Sequence, residues 1–100
     1  MAKTEITKAI LRKCEDVSQV MKSLSHPVRL KILCCVMDEE HGVNELAEFC
    51  DISQSAMSQF LKRMRLEGVL KSRRDHNFVY YSVADKKLLQ LLHSVKEIYC

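Results

Sequence analysis

The sequence is poor in residues that interrupt regular structure. Its 100 residues include one proline and two glycines, and it has no tryptophan. All-β sandwiches use glycine and proline at frequent turns, so this composition argues against that class. The chain also has no apolar run near the roughly 18 residues that a membrane span requires, and its first residues lack a signal-peptide core. We therefore expect a cytoplasmic protein with no membrane partner.

The composition instead fits one small domain covering residues 1–100. Hydrophobic residues make up 47% and charged residues 29%, which is enough for one modest core but not for a large enzyme with a cleft between domains. The chain carries a net charge of +3 and five cysteines. A reducing compartment does not favour permanent disulfides, so these thiols are core residues, metal ligands or redox groups.

Hydrophobic periodicity predicts four consecutive helices. The first covers residues 4–24, and the second begins at Pro27, since proline is well tolerated at the first helical position. Residues 28–37 are apolar on nearly every side, which predicts a buried helix. A short third helix covers residues 43–49, with Phe49 among its inward residues. Ser53 is placed to cap a fourth helix that ends near Glu67, before Gly68.

A β-hairpin and a last helix follow. Residues 69–73 and 78–83 are rich in β-branched and aromatic residues, residues 74–77 form the predicted tip, and helix returns from Asp85. The order ααααββα predicts a mainly α fold with a β-hairpin wing, that is, a winged helix-turn-helix. Residues 43–67 are the helix-turn-helix and residues 69–83 are the wing.

The fourth helix has the character of a helix that reads DNA. Its core face comprises Ala56, Met57, Phe60, Leu61 and Met64, whereas a polar stripe without acidic residues occupies the other side. Serine, glutamine and lysine are suited to base edges and phosphates in the major groove. With the basic residues that follow and the hairpin tip, the candidate DNA-binding residues are Gln54, Ser55, Ser58, Gln59, Lys62, Arg63, Arg65, Lys71, Arg73, Arg74, His76 and Asn77.

Positive charge is concentrated in the same region. Residues 53–74 carry a net charge of +5, whereas the rest of the chain carries −2. Most charge runs are solvated surface, but a basic segment on a slightly acidic body favours a phosphate-binding surface.

Five segments of the chain resemble the ArsR/SmtB repressors. They are residues 24–33, 44–47, 53–61, 67–70 and 79–83, so the resemblance extends over about residues 20–100. It implies a homodimer in which residues 1–24 and 84–100 are the dimerisation helices. It also implies that each subunit places one helix on half of a pseudo-palindromic double-stranded DNA operator.

The metal sites of that family are not matched here. Gly42-Val43-Asn44 stands where a thiolate site needs two cysteines, and Lys87 and Ile98 stand where a zinc or nickel site needs histidines. We therefore expect no metal and no cofactor. The four histidines have no ligand spacing and are expected at turns or on the surface: His26, His41, His76 and His93.

One thiol pair does match a branch of the family that senses reactive sulfur. Cys34 and Cys100 occupy the corresponding positions. The resemblance implies that persulfides or oxidants, as the effectors, link the two within one subunit through a disulfide or a short sulfur chain. DNA is then released.

Other roles for the thiols remain open from the sequence. Cys34, taken alone, fits a core residue better than a sensing thiol, and only the pairing with Cys100 within the family pattern favours sensing. A metal or metalloid sensor could use Cys34, Cys35 and Cys100, although adjacent cysteines on a helix diverge by 100°. A thiol enzyme is a further alternative, for which no Cys–His–acid grouping is evident, so we expect no enzymatic activity. Cys35 and Cys50 are interpreted as structural, and Cys14 as an exposed thiol.

Overall fold

The computed structural model describes residues 3–100. In this part of the chain, five helices surround a two-stranded hairpin: α1 Lys3–Leu24, α2 Pro27–Val36, α3 Val43–Cys50, α4 Gln54–Leu66, β1 Leu70–Asp75, β2 Phe78–Val83 and α5 Lys86–Tyr99. This order confirms the predicted winged helix-turn-helix. None of the helices formed by residues 3–100 is long and apolar enough to cross a membrane.

Helix α2 begins as predicted but is not buried on every side. His26 precedes it and accepts a hydrogen bond at Nδ1 from the Val28 amide, at 3.2 Å, with Pro27 as the first residue. Three of its side chains are buried, at positions 32, 33 and 36, whereas Cys34 is exposed. The expectation of an all-round buried helix is wrong for the single chain because α3 and the wing cover only one side of α2.

The turn between α3 and α4 is fixed by backbone geometry. Asp51 adopts a left-handed conformation with φ of 54°, which ends α3, and the Ile52 amide donates back to the Ala47 carbonyl at 3.1 Å. Ser53 Oγ then accepts from the Ala56 amide at 3.1 Å and caps α4 as predicted. Phe49, expected to face inward, is 56% exposed, because the inner face of α3 is formed by Leu46, Ala47 and Cys50.

The wing is an antiparallel hairpin whose first strand is longer than predicted. The register pairs Leu70 with Val83 at the base and Asp75 with Phe78 at the tip. The turn therefore consists of residues 76 and 77 alone, and His76 adopts a φ of 56°. His41 adds a one-residue bridge to Tyr81, with backbone hydrogen bonds of 2.9 and 3.3 Å, and holds the loop after α2 against β2.

The core lies where α2, α3, α4, the wing and α5 meet. Its fully buried members are Ile32, Leu33, Leu46, Met57, Leu61, Met64 and Leu92. Helix α1 contributes no buried residue and extends the molecule to 55 × 27 × 20 Å. One stripe of α1 remains apolar and exposed, namely Ile6, Ile10, Val17, Val20 and Met21, and so do Ile98 and Tyr99 at the end of α5. These apolar surfaces have no cover within the described chain.

Candidate nucleic-acid interface and thiol pairs

Helix α4 separates an apolar side from a polar side as its sequence predicts. Met57, Leu61 and Met64 are fully buried, while Ala56 and Phe60 are partly buried. The opposite side is solvent-exposed along its whole length, with all seven candidate residues of the helix on the surface: Gln54, Ser55, Ser58, Gln59, Lys62, Arg63 and Arg65. The buried side fixes the rotation of the helix, so its polar stripe is held outward.

The basic residues of α4 are not neutralised within the described part of the chain. Lys62, Arg63 and Arg65 form no ion pair with any residue of 3–100. Over the same range, Lys71 and Arg74 of the wing are likewise outside any ion pair. Cations without an intramolecular partner can interact with phosphate without first breaking a salt bridge.

Arg73 differs from the other basic residues of the wing. Its guanidinium donates to the Glu40 carboxylate at 3.0–3.2 Å and lies 4.9 Å from the centre of the Tyr80 ring. Hydrogen bonds from Arg73 lower the pKa of Glu40. Because strand side chains alternate between faces, Arg74 projects from the opposite face of the hairpin. Arg73 therefore fastens the wing to the loop after α2.

A groove lies between the start of α3 and the wing. Asn44 and Glu45 of α3, Asn77 and Phe78 at the tip of the wing, and Ser58 of α4 line it. His76 has 91% of its side chain exposed, and its Nδ1 lies 2.8 Å from Asp75 Oδ1. The structure thus gathers predicted residues of the helix-turn-helix and of the wing around one concave surface.

Phe78 is a feature of this surface that sequence reasoning did not single out. Its side chain is 66% exposed and its ring lies 6.5 Å from that of Tyr80. The sequence analysis treated Phe78 only as a strand-forming residue of β2. The signal that could have identified it is its place directly after the two-residue tip, where the core no longer reaches.

Arg29, in the first turn of α2, connects α1, α2 and the end of α4. Its Nε donates to the Ser23 carbonyl at 3.0 Å, and one terminal nitrogen donates to Ser23 Oγ at 2.7 Å. The same guanidinium forms an ion pair with Glu67, the residue that ends α4. The end of α1, the first turn of α2 and the end of α4 are therefore held together by one side chain.

Two of the histidines have structural roles. His41 has a side chain only 16% exposed, beside Glu45 at 3.4 Å and the edge of the Phe49 ring at 5.2 Å, so it is not a surface residue as expected. His26 caps α2 and packs its ring 5.3 Å from Phe60.

Cys34 and Cys100 are both exposed thiols. The pKa of Cys34 is raised, first by burial of part of the side chain and then by the neighbouring thiols Cys35 and Cys100. Cys100 follows α5 directly, and its backbone amide donates to the Lys96 carbonyl at 2.8 Å. The structure therefore brings the two cysteines near enough for their charges to interact.

Asp38 holds α5 against the end of α2 in the same neighbourhood. Its Oδ1 lies 2.9 Å from His93 Nε2, and its Oδ2 accepts from Lys96 Nζ at 3.3 Å. The hydrogen bond from Lys96 is the main reason that the pKa of Asp38 is lowered, with a further contribution from His93. Asp38 follows Cys34 by about one helical turn, whereas its partners Lys96 and His93 precede Cys100 by one and two turns. The two segments therefore run antiparallel.

The remaining inner thiols form a separate pair. Cys35 is partly buried on α2 and Cys50 is buried at the end of α3, and the pKa of Cys35 is raised by burial and then by the neighbouring Cys50. Cys35 is thus directed to α3, whereas Cys34 is directed to α5. The three cysteines proposed for a metal or metalloid site are not gathered at one point. Within residues 3–100 no cluster of three or more His, Cys, Asp or Glu side chains is arranged to hold a metal ion.

The two helices α3 and α4 each pack one side on the core, the outer side of α4 is exposed and basic, and a hairpin adjoins them. This arrangement defines a winged helix-turn-helix DNA-binding protein. The model of the bacterial regulatory proteins of the arsR family matches residues 26–72. The chain is 33% identical over 89 residues to the biofilm growth-associated repressor of Xylella fastidiosa (strain Temecula1 / ATCC 700964), covering 89% of this chain and 78% of that protein. It is 36% identical over 87 residues to the regulator YgaV of Escherichia coli (strain K12), with coverages of 86% and 88%.

Solved structures agree with this result. Reduced HlyU from Vibrio cholerae N16961 is similar with a TM-score of 0.83, at 27% identity over 93% of this chain and 98% of that one. The homodimeric winged helix-turn-helix domain of Mb0332 from Mycobacterium bovis gives 0.71, at 26% identity over 98% and 89%. The chain belongs to the ArsR family. It is accordingly a DNA-binding transcriptional regulator and not an enzyme, as expected.

Proposed function

We propose that the chain is a homodimeric repressor whose operator binding is switched off when reactive sulfur species or oxidants link Cys34 to Cys100 within one subunit. The juxtaposition of these two exposed thiols carries the proposal. No other pair in the described chain combines two exposed cysteines with interacting charges. The relatives support the general role, since one is a repressor and another was solved in a form described as reduced.

The chemistry needs only the two thiols and a sulfur donor. The thiolate of one cysteine attacks the outer sulfur of a low-molecular-weight hydropersulfide, so that a protein persulfide forms and a thiol leaves. The second cysteine then attacks the inner sulfur of this persulfide. A Cys34–Cys100 disulfide forms and hydrogen sulfide departs, so the protein loses two electrons and the donor gains them. When a second hydropersulfide converts the other cysteine to a persulfide as well, the terminal sulfur of one persulfide attacks the inner sulfur of the other, and a Cys–S–S–S–Cys bridge forms with loss of hydrogen sulfide.

The Asp38 contacts support closure of this bridge. They join α5 to the loop directly after α2. Burial of the neighbouring Leu92 and Val36 fixes the inner faces of the two elements. The approach of the thiols therefore depends on ordered neighbours and not on the free end of a helix alone.

Transmission to DNA follows from the position of α2. A bridge would constrain α2 against α5, while Arg29 joins the other end of α2 to the end of α4 through Glu67. A change in the angle of α2 would alter how the two recognition helices of a dimer are spaced. Dimers of this type bind half-sites separated by about one DNA turn, so spacing determines affinity.

The proposed dimer rests on the uncovered apolar stripe of α1. Side chains such as Ile10, Val17 and Met21 line one apolar face, although the helix carries charged residues elsewhere. A second copy of the chain would cover this face together with the open end of α5, and the solved Mb0332 domain is homodimeric. The exposed residues predicted from the sequence, apart from Arg73, which pairs with Glu40, would then contact the operator, with α4 in the major groove.

The test compares operator binding before and after treatment with an organic polysulfide. Cys34→Ser and Cys100→Ser are each expected to bind the operator with wild-type affinity and to remain bound after treatment. The unmodified chain is expected to lose at least tenfold in affinity, measured by fluorescence anisotropy. Mass spectrometry of the treated chain should identify a peptide pair joined through Cys34 and Cys100.

Cys14→Ser is the thiol control, because Cys14 is exposed and lies on α1; since it lines the apolar face of that helix, analytical ultracentrifugation first verifies that this variant has the oligomeric state of the unmodified chain. It is expected to respond as the unmodified chain does. A Cys34→Ser or Cys100→Ser chain that still releases DNA would refute the switch. If the untreated chain does not bind any operator DNA more tightly than random DNA, the regulatory role itself is refuted.

A further inference from the structure

We propose that Phe78 is an apolar DNA-contact residue of the wing, whose ring enters the minor groove beside the half-site of α4 and wedges into a base step. The inference rests on the proposed function, because it requires a dimer bound to its operator with α4 in the major groove. It adds a specificity-determining residue that responds to how easily the duplex deforms and not to the hydrogen-bonding pattern of its bases.

Phe78 is exposed on a part of the chain that the proposed dimer does not cover. Its side chain is 66% exposed, whereas the other large exposed apolar side chains of residues 3–100 lie on helices, most of them on α1 and at the end of α5. A single exposed phenylalanine is common on protein surfaces. Phe78, however, follows the two-residue tip of the hairpin directly and lines the same groove as Ser58 of α4. Its ring is therefore continuous with the surface assigned to DNA.

A row of packed side chains supports this ring. Phe78 and Tyr80 share one face of the hairpin, since side chains two residues apart in a strand point the same way, and their ring centres are 6.5 Å apart. Arg73 pairs with Tyr80 across the hairpin and lies 4.9 Å from the centre of its ring, and Glu40 accepts a hydrogen bond from Arg73 at 3.0 Å. Phe78 therefore projects from an ordered layer, which reduces the entropy lost when the ring is immobilised on DNA.

The charges on this face of the hairpin do not favour phosphate. The guanidinium of Arg73 is paired with Glu40, and Asp75, the cross-strand partner of Phe78, is acidic. Arg74, which forms no ion pair within residues 3–100, projects from the opposite face. The face that carries Phe78 is therefore suited to the apolar edges of sugars and bases, and the opposite face to the DNA backbone.

The minor groove is the part of the duplex beside a helix that occupies the major groove, and one sugar–phosphate backbone separates the two. The protein groove lined by Ser58 and Asn77 would receive this backbone. Glu45 also lines it, and its carboxylate accepts from the Gly42 amide at 3.4 Å. Apolar side chains inserted from the minor groove partly unstack a base step and bend the duplex, and pyrimidine–purine steps yield most easily. We therefore expect such a step at the wing position of the operator.

The test uses operator duplexes that the unmodified chain selects in vitro from random sequences. Phe78→Ala is expected to lower operator affinity about tenfold, and Phe78→Leu less than about threefold, because leucine is also an apolar wedge. Neither should change the slope of log affinity against log salt, since no phosphate contact is lost. Phe49→Ala is the matched control, because Phe49 is an exposed phenylalanine on α3 that does not line the groove, and it should keep wild-type affinity. Thermal unfolding and sedimentation verify fold and dimer.

A second measurement observes the deformation itself. 2-Aminopurine at the step beside the half-site should brighten when the unmodified chain or Phe78→Leu binds, and energy transfer between labelled duplex ends should report a bend. Both signals should be lost with Phe78→Ala. Tyr80 is a positioning residue, so Tyr80→Ala should weaken both signals, whereas Tyr80→Phe should restore them because it keeps the ring.

Unchanged affinity and bending with Phe78→Ala would overturn the proposal. So would an equal loss with Phe49→Ala, a reduced salt slope with Phe78→Ala, or a Phe78→Leu chain as weak as Phe78→Ala. Selection that enriches no sequence would refute the regulatory role and this inference with it. An unaffected Phe78→Ala chain on enriched operators would refute the wedge alone.

Discussion

Asp38 and His93 are joined at 2.9 Å although 55 residues separate them in the chain. The contact links the loop after α2 to the middle of α5, and Lys96 adds a second link to the same carboxylate. The groups are exposed, so the contact matters through the position it gives to Cys100 and not through a large contribution to stability.

We expect Asp38→Asn to slow formation of the Cys34–Cys100 bridge by about two- to fivefold, because an amide holds His93 and Lys96 less firmly than a carboxylate does. The rate is measured by quenched alkylation and mass spectrometry. Glu39→Gln is the matched control, since Glu39 is a neighbouring exposed carboxylate that contacts His41 and not α5. Equal rates in the two variants would show that the contact does not position Cys100.

The Asp38 contact should also respond to acid. Its folded-state pKa is lowered, so its stabilising effect is present at neutral pH and persists above the ordinary aspartate value of about 3.9. The effect is lost as the pH falls through the lowered value. NMR titration of the Asp38 carboxyl should therefore give a lower midpoint in the native chain than in a chain with His93→Gln and Lys96→Gln. Identical midpoints would contradict this account.

The bridging rate itself should keep rising at alkaline pH. The pKa of Cys34 is raised above its ordinary value of 9.0, mainly by burial, and only the thiolate attacks. Between pH 7 and 8.5, we expect close to a tenfold increase in rate per pH unit when Cys34 is the attacking thiol. The rate of Cys34 alkylation, measured at each pH in a Cys100→Ser chain and quenched at set times, provides the measurement. A rate that levels off below pH 8 would mean that Cys34 is more acidic than its surroundings indicate.

The polar stripe of α4 and the basic residues should affect DNA binding differently. Ser58→Ala or Gln59→Ala is expected to cost about 1–3 kcal/mol at the operator and little on unrelated DNA, because base contacts specify sequence. Competition binding with operator and random duplexes separates the two effects. Gln19→Ala, on α1 and away from α4, is the control. Equal losses on both DNAs would assign these residues to phosphate contacts.

Two adjacent arginines of the wing should give different salt dependence. Arg74→Ala is expected to reduce the slope of log affinity against log salt by about 0.9, as for one lost phosphate contact. Arg73→Ala should change the slope less, because Glu40 already neutralises Arg73. Glu40→Gln should in turn increase the slope by freeing that arginine. The same slope for Arg73→Ala and Arg74→Ala would refute this difference.

The apolar stripe of α1 can be tested by placing a charge on it. Val17→Glu is expected to shift the chain from dimer to monomer in analytical ultracentrifugation and to reduce operator affinity by at least tenfold, because a charge cannot be buried unpaired. Lys8→Glu, which changes a charge at an exposed position on the opposite side of α1, is the control. An intact dimer with Val17→Glu would place the interface elsewhere.

The sequence predicted the helical order and the buried and exposed sides of α4 well because both depend on local patterns. The spacing of Met57, Leu61 and Met64 determines which side of α4 is buried, and Ser53 determines where it begins. The errors occurred where tertiary packing decides the outcome. Helix α3 is too short for its sequence to define its buried face, so Phe49 was assigned inward although Cys50 is the buried residue.

The thiols show the same division more sharply. The 100° between Cys34 and Cys35 predicted that the two diverge, and only the fold shows that Cys34 is exposed whereas Cys35 packs against the core. Likewise, the sequence counted Arg73 among the candidate DNA-binding residues, and only the fold brings Glu40 beside it. Long-range partners of this kind depend on how elements pack and have no signal in spacing.

Arg29 has a consequence for how the molecule can move. Because its guanidinium is shared between Ser23 and Glu67, the angle between α1 and α2 and the position of the end of α4 are not independent variables. A rotation at one of these places must be accompanied by displacement at the other or by rupture of the shared contacts. Displacements of the end of α4 are thereby coupled to those of the first helix.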